Sequence, residues 1–375
     1  MTRPPAASYT SAGPMNAPLR VAVNARALEA GGSPLARLPA AHLVDRLAAE
    51  LDLRLELYAM GSVSESLSGG SPVHIATPSG GPLRAATFDQ LTFPRAARRS
   101  GAHLLLYLHP SAPIAGPAPT VIWYGDGVNP LAKGRQGDRL ARSLAQGGMH
   151  GAAAVLRSVD LPPEPIDVRW VAVPPSVPSA FFAHGTAPAA PTPAHLPEAF
   201  VLAVCESTAA LPLLLAAWTW VESSLGDTYA LLVTSHDEKA RYAAQLAADE
   251  AGLSETVRSV VLADEAWPTV FRRAATLLHA GERQNAAALR WALASDLPVA
   301  ALATPASESI VGTAGYLVSP PEARALGAAC LTLLVEEGIA ASLREKGRER
   351  ARSYRPAAAA PAWADALREA AATAR

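Results

Sequence analysis

The sequence predicts an α/β protein built of two doubly wound domains. Three observations carry that prediction. Short apolar runs alternate with helix-patterned segments through residues 256–320, the order of a parallel sheet whose strands are buried on both faces. The same alternation opens the chain, where the strand pattern LRVAVN of Leu19–Asn24 leads through a glycine-containing loop into a helix pattern and a second strand. A chain of 375 residues, 50% of them hydrophobic, suits two domains of ordinary size, each with its own core.

Taken in order, residues 25–32 form a loop carrying Gly31-Gly32, and Ser33-Pro34 reads as an N-cap followed by proline at the first helical position. Leu35, Leu38, His42, Leu43 and Leu47 then recur at helical spacing, and residues 53–58 are the next strand. Residues 64–82, rich in Ser, Gly and Pro, read as a long loop. A helix pattern over 87–99 precedes strands at 103–109 and Thr120–Trp123. A helix leading into a short strand is expected over 147–158, and another strand over 168–173. The Pro/Ala-rich residues 183–199 read as a linker. Phe200–Val204 opens the second domain, with a strand at 229–234 and a helix at 238–251. Further strands follow at 257–262, Thr276–His279, 297–301 and Tyr316–Val318. Between them, 266–275 places Trp267, Val270, Phe271 and Ala274 on one helical face, and 285–294 is an Ala/Leu-rich helix. Residues 321–352 are helical, with Arg and Lys towards the end, as the helix dipole prefers. A last helix covers 361–372.

Composition excludes several classes. Formal charge is −1, from 32 basic and 33 acidic side chains, which gives no electrostatic footing for nucleic acid binding. Basic clusters at Arg95, Arg98 and Arg99 and along 344–352 read as solvated faces. Cys205 and Cys330 lack C-x-x-C spacing and read as buried free thiols of a reducing compartment; no metal site is expected. Residues 1–18 read as a flexible tail with no signal-peptide core. The apolar run LPLLLAAWTWV at 211–221 is far short of the ~20 residues a spanning helix needs. It reads as a buried helix with a Trp-rich face. A cytoplasmic location is expected, with peripheral membrane or protein contact left open.

The order of segments resembles the retaining glycosyltransferases of the GT-B fold (glycosyl transferase group 1, sucrose-synthase-like), over nearly the whole chain. The resemblance is carried by the helix segment 267–274, by Ala292-Leu293-Ala294-Ser295-Asp296-Leu297-Pro298-Val299, and by Glu308 followed by Ile310-Val311-Gly312-Thr313-Ala314-Gly315-Tyr316-Leu317-Val318. In the first half it is carried by Gly31-Gly32, by the "F.Q...PR" character of 87–99, by Gly125-Asp126, and by the segment 171–178 with Phe181-Phe182. It implies two Rossmann-like domains facing an interdomain cleft and a C-terminal helix crossing back. The domains implied are 1–18 tail, 19–182 acceptor-side domain, 183–199 linker, 200–356 donor-side domain and 357–375 returning helix.

The resemblance also implies a site. Gly31 and Gly32 would lie near donor and acceptor, Asp126 and Glu282 would be the catalytic carboxylates, and Arg283 and Glu308 would bind the donor. The co-substrate would be a nucleotide-sugar, with no other cofactor, and the acceptor a carbohydrate, a lipid or a protein. Several donor-handling residues of the family are replaced. Its histidine before Asp126 is Gly125 here, and its two glutamates fall on Arg283 and Trp291, with Glu282 one position early. The Arg and Lys that neutralise the donor diphosphate are absent from Cys205-Glu206-Ser207-Thr208-Ala209-Ala210-Leu211. Charge-assisted bonds to phosphate are worth ~1.5–3 kcal/mol each, so losing two predicts donor affinity lower by roughly two to four orders of magnitude. Two functions follow: sugar transfer with retention, or a non-catalytic glycosyltransferase-like subunit that binds a partner through the same cleft. A dinucleotide oxidoreductase is disfavoured, because no G-x-G-x-x-G follows any strand.

Overall fold

The computed structural model describes residues 18–29, 33–64, 69–76, 84–125, 137–162, 165–182, 196–205, 209–235, 237–281 and 286–373, without the side chains of 137–142. Two wholly parallel sheets form its frame. The first contains β1 (Leu19–Asn24), β2 (Leu53–Ala59), β3 (Val73–Ile75), β4 (Leu104–Tyr107), β5 (Thr120–Trp123), β6 (Ala154–Ser158) and β7 (Trp170–Val173), in the order β3-β2-β1-β4-β5-β6-β7. The second contains β8 (Phe200–Val204), β9 (Ala230–Ser235), β10 (Val257–Val261), β11 (Thr276–His279), β12 (Val299–Leu302) and β13 (Tyr316–Val318), in the order β10-β9-β8-β11-β12-β13. Every residue of β4, β5, β8, β11 and β12 is buried, which is why these strands are mostly apolar, with Thr120, Thr276 and His279 as polar members at their ends.

The helices of the first half are α1 (Pro34–Ala48), α2 (Arg84–Thr87), α3 (Phe93–Arg99) and α4 (Gly137–His150). Those of the second half are α5 (Leu211–Leu225), α6 (Glu238–Glu250), α7 (Trp267–Arg273), α8 (Ala286–Ala294), α9 (Pro305–Ile310), α10 (Ala323–Val335), α11 (Glu337–Ala351) and α12 (Pro356–Thr373). The two-domain α/β expectation therefore holds.

Some local expectations need correction. β3 lies in the segment read as a long loop. It is a three-residue edge strand with His74 and Ile75 exposed, so it carries no two-sided burial signal. Ser33 precedes α1, but its hydroxyl makes no capping bond, and Pro34 alone marks the start. In α5 Trp218 is buried and Trp220 is half-exposed beneath the Arg324 guanidinium at 5.3 Å, so there is no Trp-rich buried face. The helical stretch after 321 breaks at Glu336 into α10 and α11. Of the 183–199 linker, 183–195 lie outside the described residues, as do 1–17 of the tail. Among the described residues no single helix is long and apolar enough to cross a membrane. Both cysteines are buried thiols that form no disulfide with each other, and burial pushes the Cys330 thiol up to about 12.

α12 returns to the first domain. Its Ala359, Trp363, Leu367 and Ala370 are buried in the core under β1, β2 and β4. Trp363 sets its ring edge-on to Trp123 and donates from Nε1 to Pro174 O at 3.0 Å. The Arg368–Asp52 pair beside it is exposed, so apolar burial and not this ion pair holds the helix.

The carboxyl edges of the two sheets face each other, because the loops that leave them are in contact. Arg37 of α1 donates to both oxygens of Asp264, at 2.9 and 2.6 Å, in the turn after β10. Arg290 of α8 grips Asp160, just after β6, through Nε at 2.8 Å and Nη2 at 2.5 Å. Ser295 donates to Phe181 O at 2.8 Å, and the Phe181 ring stacks on Trp291 with centroids 4.5 Å apart. Side chains of Arg290 and Asp160 are only 2% and 11% exposed. Asp160→Asn should therefore remove the carboxylate charge that a buried guanidinium grips and lower stability by about 3 kcal/mol. Replacing both residues, Asp160→Leu with Arg290→Met, should recover most of that loss. Urea melts of the two variants check this, and equal losses for both would contradict it.

Candidate active site at the facing sheet edges

Each sheet has a point where strand order reverses: between β1 and β4 in the first domain, and between β8 and β11 in the second. In doubly wound sheets ligands bind at the carboxyl ends beside such points. Both points here open toward the interdomain contact.

At the first point the chain gathers a buried polar cluster. β1 ends on Asn24 and runs into a 3-10 turn, Arg26–Leu28. β4 ends on Tyr107, followed by His109 and Ser111. Between α2 and α3 the helix widens into a π turn, Phe88–Thr92, which carries Asp89 inward. Asp89 Oδ1 accepts from Asn24 Nδ2 at 2.9 Å, Oδ2 accepts from Arg26 Nη1, and its carbonyl accepts from Tyr107 OH at 2.7 Å. Gln90, next in the turn, donates to Ala112 O at 2.9 Å.

Protons in the cluster can be placed. The Nδ1 of His109 accepts from Ser111 N at 3.3 Å, so Nε2 carries the hydrogen and donates to Asn24 Oδ1 at 3.2 Å. Burial and the nearby Arg26 push His109 down to about 3, so its imidazole is neutral. Burial pushes Asp89 up to about 7, against the opposing pull of Arg26 and the Asn24 amide. The Arg26 side chain keeps 26% of its surface, against 2% for Asp89.

At the second point β11 ends on the buried His279, whose Nδ1 accepts from Gly281 N at 2.9 Å. Gly281 has φ +76°, and a Cβ there would lie 2.7 Å from Thr304 Cγ2, so glycine is required. Thr304 and Ser307 form a capping box at the start of α9, and Thr304 Oγ1 donates to Gly281 O at 3.1 Å. The exits of β11 and β12 are thus tied together beside residues 282–285.

Of the site residues expected from sequence, Gly31, Gly32, Asp126, Glu282 and Arg283 lie outside the described residues. Glu308 is exposed on the first turn of α9, with its N–H bonded to Thr304 O at 2.8 Å. Trp291, where the family has its second glutamate, is 1% exposed and packed among Phe181, Trp267 and Phe271, in the interdomain core. Asn24, Arg26, Asp89, Tyr107 and His109 are not among the site residues that the sequence points to. Polar residues closing the apolar runs of β1 and β4 were the available signal. Among the described residues no group of three or more His, Cys, Asp or Glu is placed to hold a metal.

No protein-family model and no curated protein sequence matches the chain. Solved structures do. WaaG, a glycosyltransferase involved in lipopolysaccharide biosynthesis, superposes with TM-score 0.71 at 13% identity, covering 93% of this chain and 99% of its own. Sucrose-phosphate synthase from Thermosynechococcus elongatus gives 0.67 at 16% identity, covering 95% and 100%. Anabaena Alr3699/HepE, solved with UDP and glucose, gives 0.66 at 13% identity, covering 94% and 99%. The fold of this chain is that of the GT-B glycosyltransferases. At such identities the likeness defines the fold and leaves the chemistry to the site itself.

The titrations predict a pH signature. Between the ordinary 3.8 of a carboxyl and about 7, folded Asp89 keeps a proton that the unfolded chain has released, so its contribution to stability falls as pH rises through that range. His109 acts oppositely: between about 3 and 6.5 only the unfolded chain binds the proton, so stability rises with pH. His42, held at about 4 mainly by burial, adds to the rising term. Asp89→Asn removes only the falling term. The stability of the native protein minus that of this variant should decrease steadily from about pH 4 to about pH 7, read from urea midpoints. A difference that does not change with pH would contradict the assignment.

Proposed function

We propose that this chain is a glycosyltransferase that binds a nucleotide-sugar at the carboxyl edge of the second sheet and transfers the sugar to an acceptor at the carboxyl edge of the first. The observation that carries this reading is the opposition of the two switch points, held by Arg37–Asp264 and Arg290–Asp160. The GT-B neighbours support it, among them HepE, solved with UDP-glucose.

In the proposed reaction an acceptor hydroxyl oxygen bonds to the anomeric carbon and the bond from that carbon to the diphosphate oxygen breaks. The hydroxyl proton passes to the departing diphosphate oxygen, and the configuration at carbon is retained. Glu282 and Asp126 are the proposed catalytic carboxylates, and Gly31-Gly32 lets the backbone approach the substrates closely. Glu308 would lie beside the donor phosphates. With no Arg or Lys over 205–211, the diphosphate would be held by Arg283 and by free backbone N–H groups at the starts of α5 and α8. The acceptor would be a carbohydrate, a lipid or a protein.

The test is calorimetric titration with UDP-, GDP- and ADP-glucose, together with release of the nucleoside diphosphate. One nucleotide should bind saturably and be turned over. Arg283→Gln should weaken binding about tenfold or more, the loss of one charge-assisted contact. The anomeric configuration of the product, read by NMR, checks retention. No binding of any donor at millimolar concentration would overturn the reading and leave a binding or regulatory subunit.

A further inference from the structure

The buried cluster at the first switch point has one outward-facing member. Arg26 commits Nη1 to Asp89, and among the described residues neither its Nε nor its Nη2 makes a hydrogen bond. The N–H groups on the free side of a guanidinium form a planar fork that suits a phosphate or carboxylate. Its base is fixed. Arg26 N donates to Asn24 Oδ1 at 3.3 Å, Ala25 N donates to Tyr58 O at 2.8 Å, and Glu29 at the end of the turn accepts from Met60 N at 2.6 Å. A cation so pre-ordered loses little entropy on binding.

Its partner makes the cation conditional. While Asp89 is ionised the pair is close to neutral, and Glu29 adds further negative charge nearby. An anion arriving at Arg26 meets that carboxylate at short range, and taking up a proton removes the repulsion. The groups facing Asp89 decide where the proton goes. Asn24 carries no titratable group, burial pushes the Tyr107 phenol further up, and the Glu29 carboxylate accepts from Met60 N. The ring of His109 is held neutral by burial and by Arg26, with Nδ1 occupied by Ser111 N. Asp89, poised near neutrality by burial, is the group left to take it.

We infer that the acceptor carries a phosphomonoester bound by the free edge of Arg26, and that Asp89 takes up a proton when it binds. The word acceptor rests on the proposed glycosyl transfer; the phosphate site does not. Two sources share this chemistry, a soluble sugar phosphate and a lipid-borne phosphate.

Glucose 6-phosphate, with glucose as the neutral control, is titrated into the full chain near neutral pH, without donor, in two buffers of different ionisation enthalpy. Phosphatidylcholine vesicles with and without phosphatidic acid form the second arm. One phosphate probe should bind, with proton uptake revealed by a buffer-dependent heat. Arg26→Gln should weaken binding about ten- to a hundredfold, the loss of a charge-assisted contact. Asp89→Asn should still bind but lose the uptake. Binding of glucose 6-phosphate assigns a soluble acceptor, and binding confined to phosphatidic acid vesicles assigns a lipid-borne one. Unchanged affinity in Arg26→Gln, uptake that persists in Asp89→Asn, or no binding of either probe at millimolar concentration would overturn the inference. Because no donor is present, such a failure leaves glycosyl transfer standing, and failure of donor binding leaves this measurement intact.

Discussion

The arrangement of this molecule depends on Arg290 and Asp160 meeting out of water. Removing two charges from solvent costs several kcal/mol for each ion, and a bidentate geometry recovers that cost only when it is well formed. An apolar pair of equal volume would serve stability as well. What the ion pair contributes is direction, because a planar fork accepts a carboxylate along one approach. α8 follows the exit of β11 and Asp160 follows β6, so the pair sets one switch-point loop of the second sheet against the carboxyl edge of the first. The Phe181–Trp291 stack and the Ser295 bond to Phe181 O surround this contact with packed side chains.

The same contact explains a replacement that looks like lost function in the sequence. Trp291, the position on which the sequence resemblance would put a glutamate, has its ring inside the interdomain aromatic group. A carboxylate there would be buried among Phe181, Trp267 and Phe271 without a described partner, at a desolvation cost of several kcal/mol. Position 291 therefore works as packing.

How much of this was legible in the sequence follows from burial. Parallel strands covered on both faces are continuous apolar runs, so β4, β8 and β11 could be read directly. β3 could not, because a short edge strand has one open side and no periodicity of its own. Trp220 was assigned to the buried face of α5 because its sequence neighbours are apolar, and only the packing of α10 against α5 shows which side is open. The polar cluster was hidden for another reason. Asn24 and Asp89 stand 65 positions apart, and Asn24 and His109 stand 85 apart, so no local spacing links them. The residues that family resemblance did pick out, apart from Glu308, lie outside the described residues.

The two proposed phosphate sites would meet the same electrostatic problem differently. A cleft meant for phosphates needs positive charge when occupied, yet bare cations in an empty cleft repel each other and attract the wrong anions. At the second sheet the polar atoms of Thr304, Ser307 and Gly281 are turned on one another, which leaves helix-start N–H groups and Arg283 as the proposed source of positive potential. At the first sheet Arg26 is masked by Asp89, a carboxylate poised by burial to lose its charge near neutrality. Positive charge held in dipoles or behind a protonatable partner appears only when an anion is there to stabilise it. A chain with formal charge −1 and no Arg or Lys at residues 205–211 can present a phosphate site by this route without a standing basic patch.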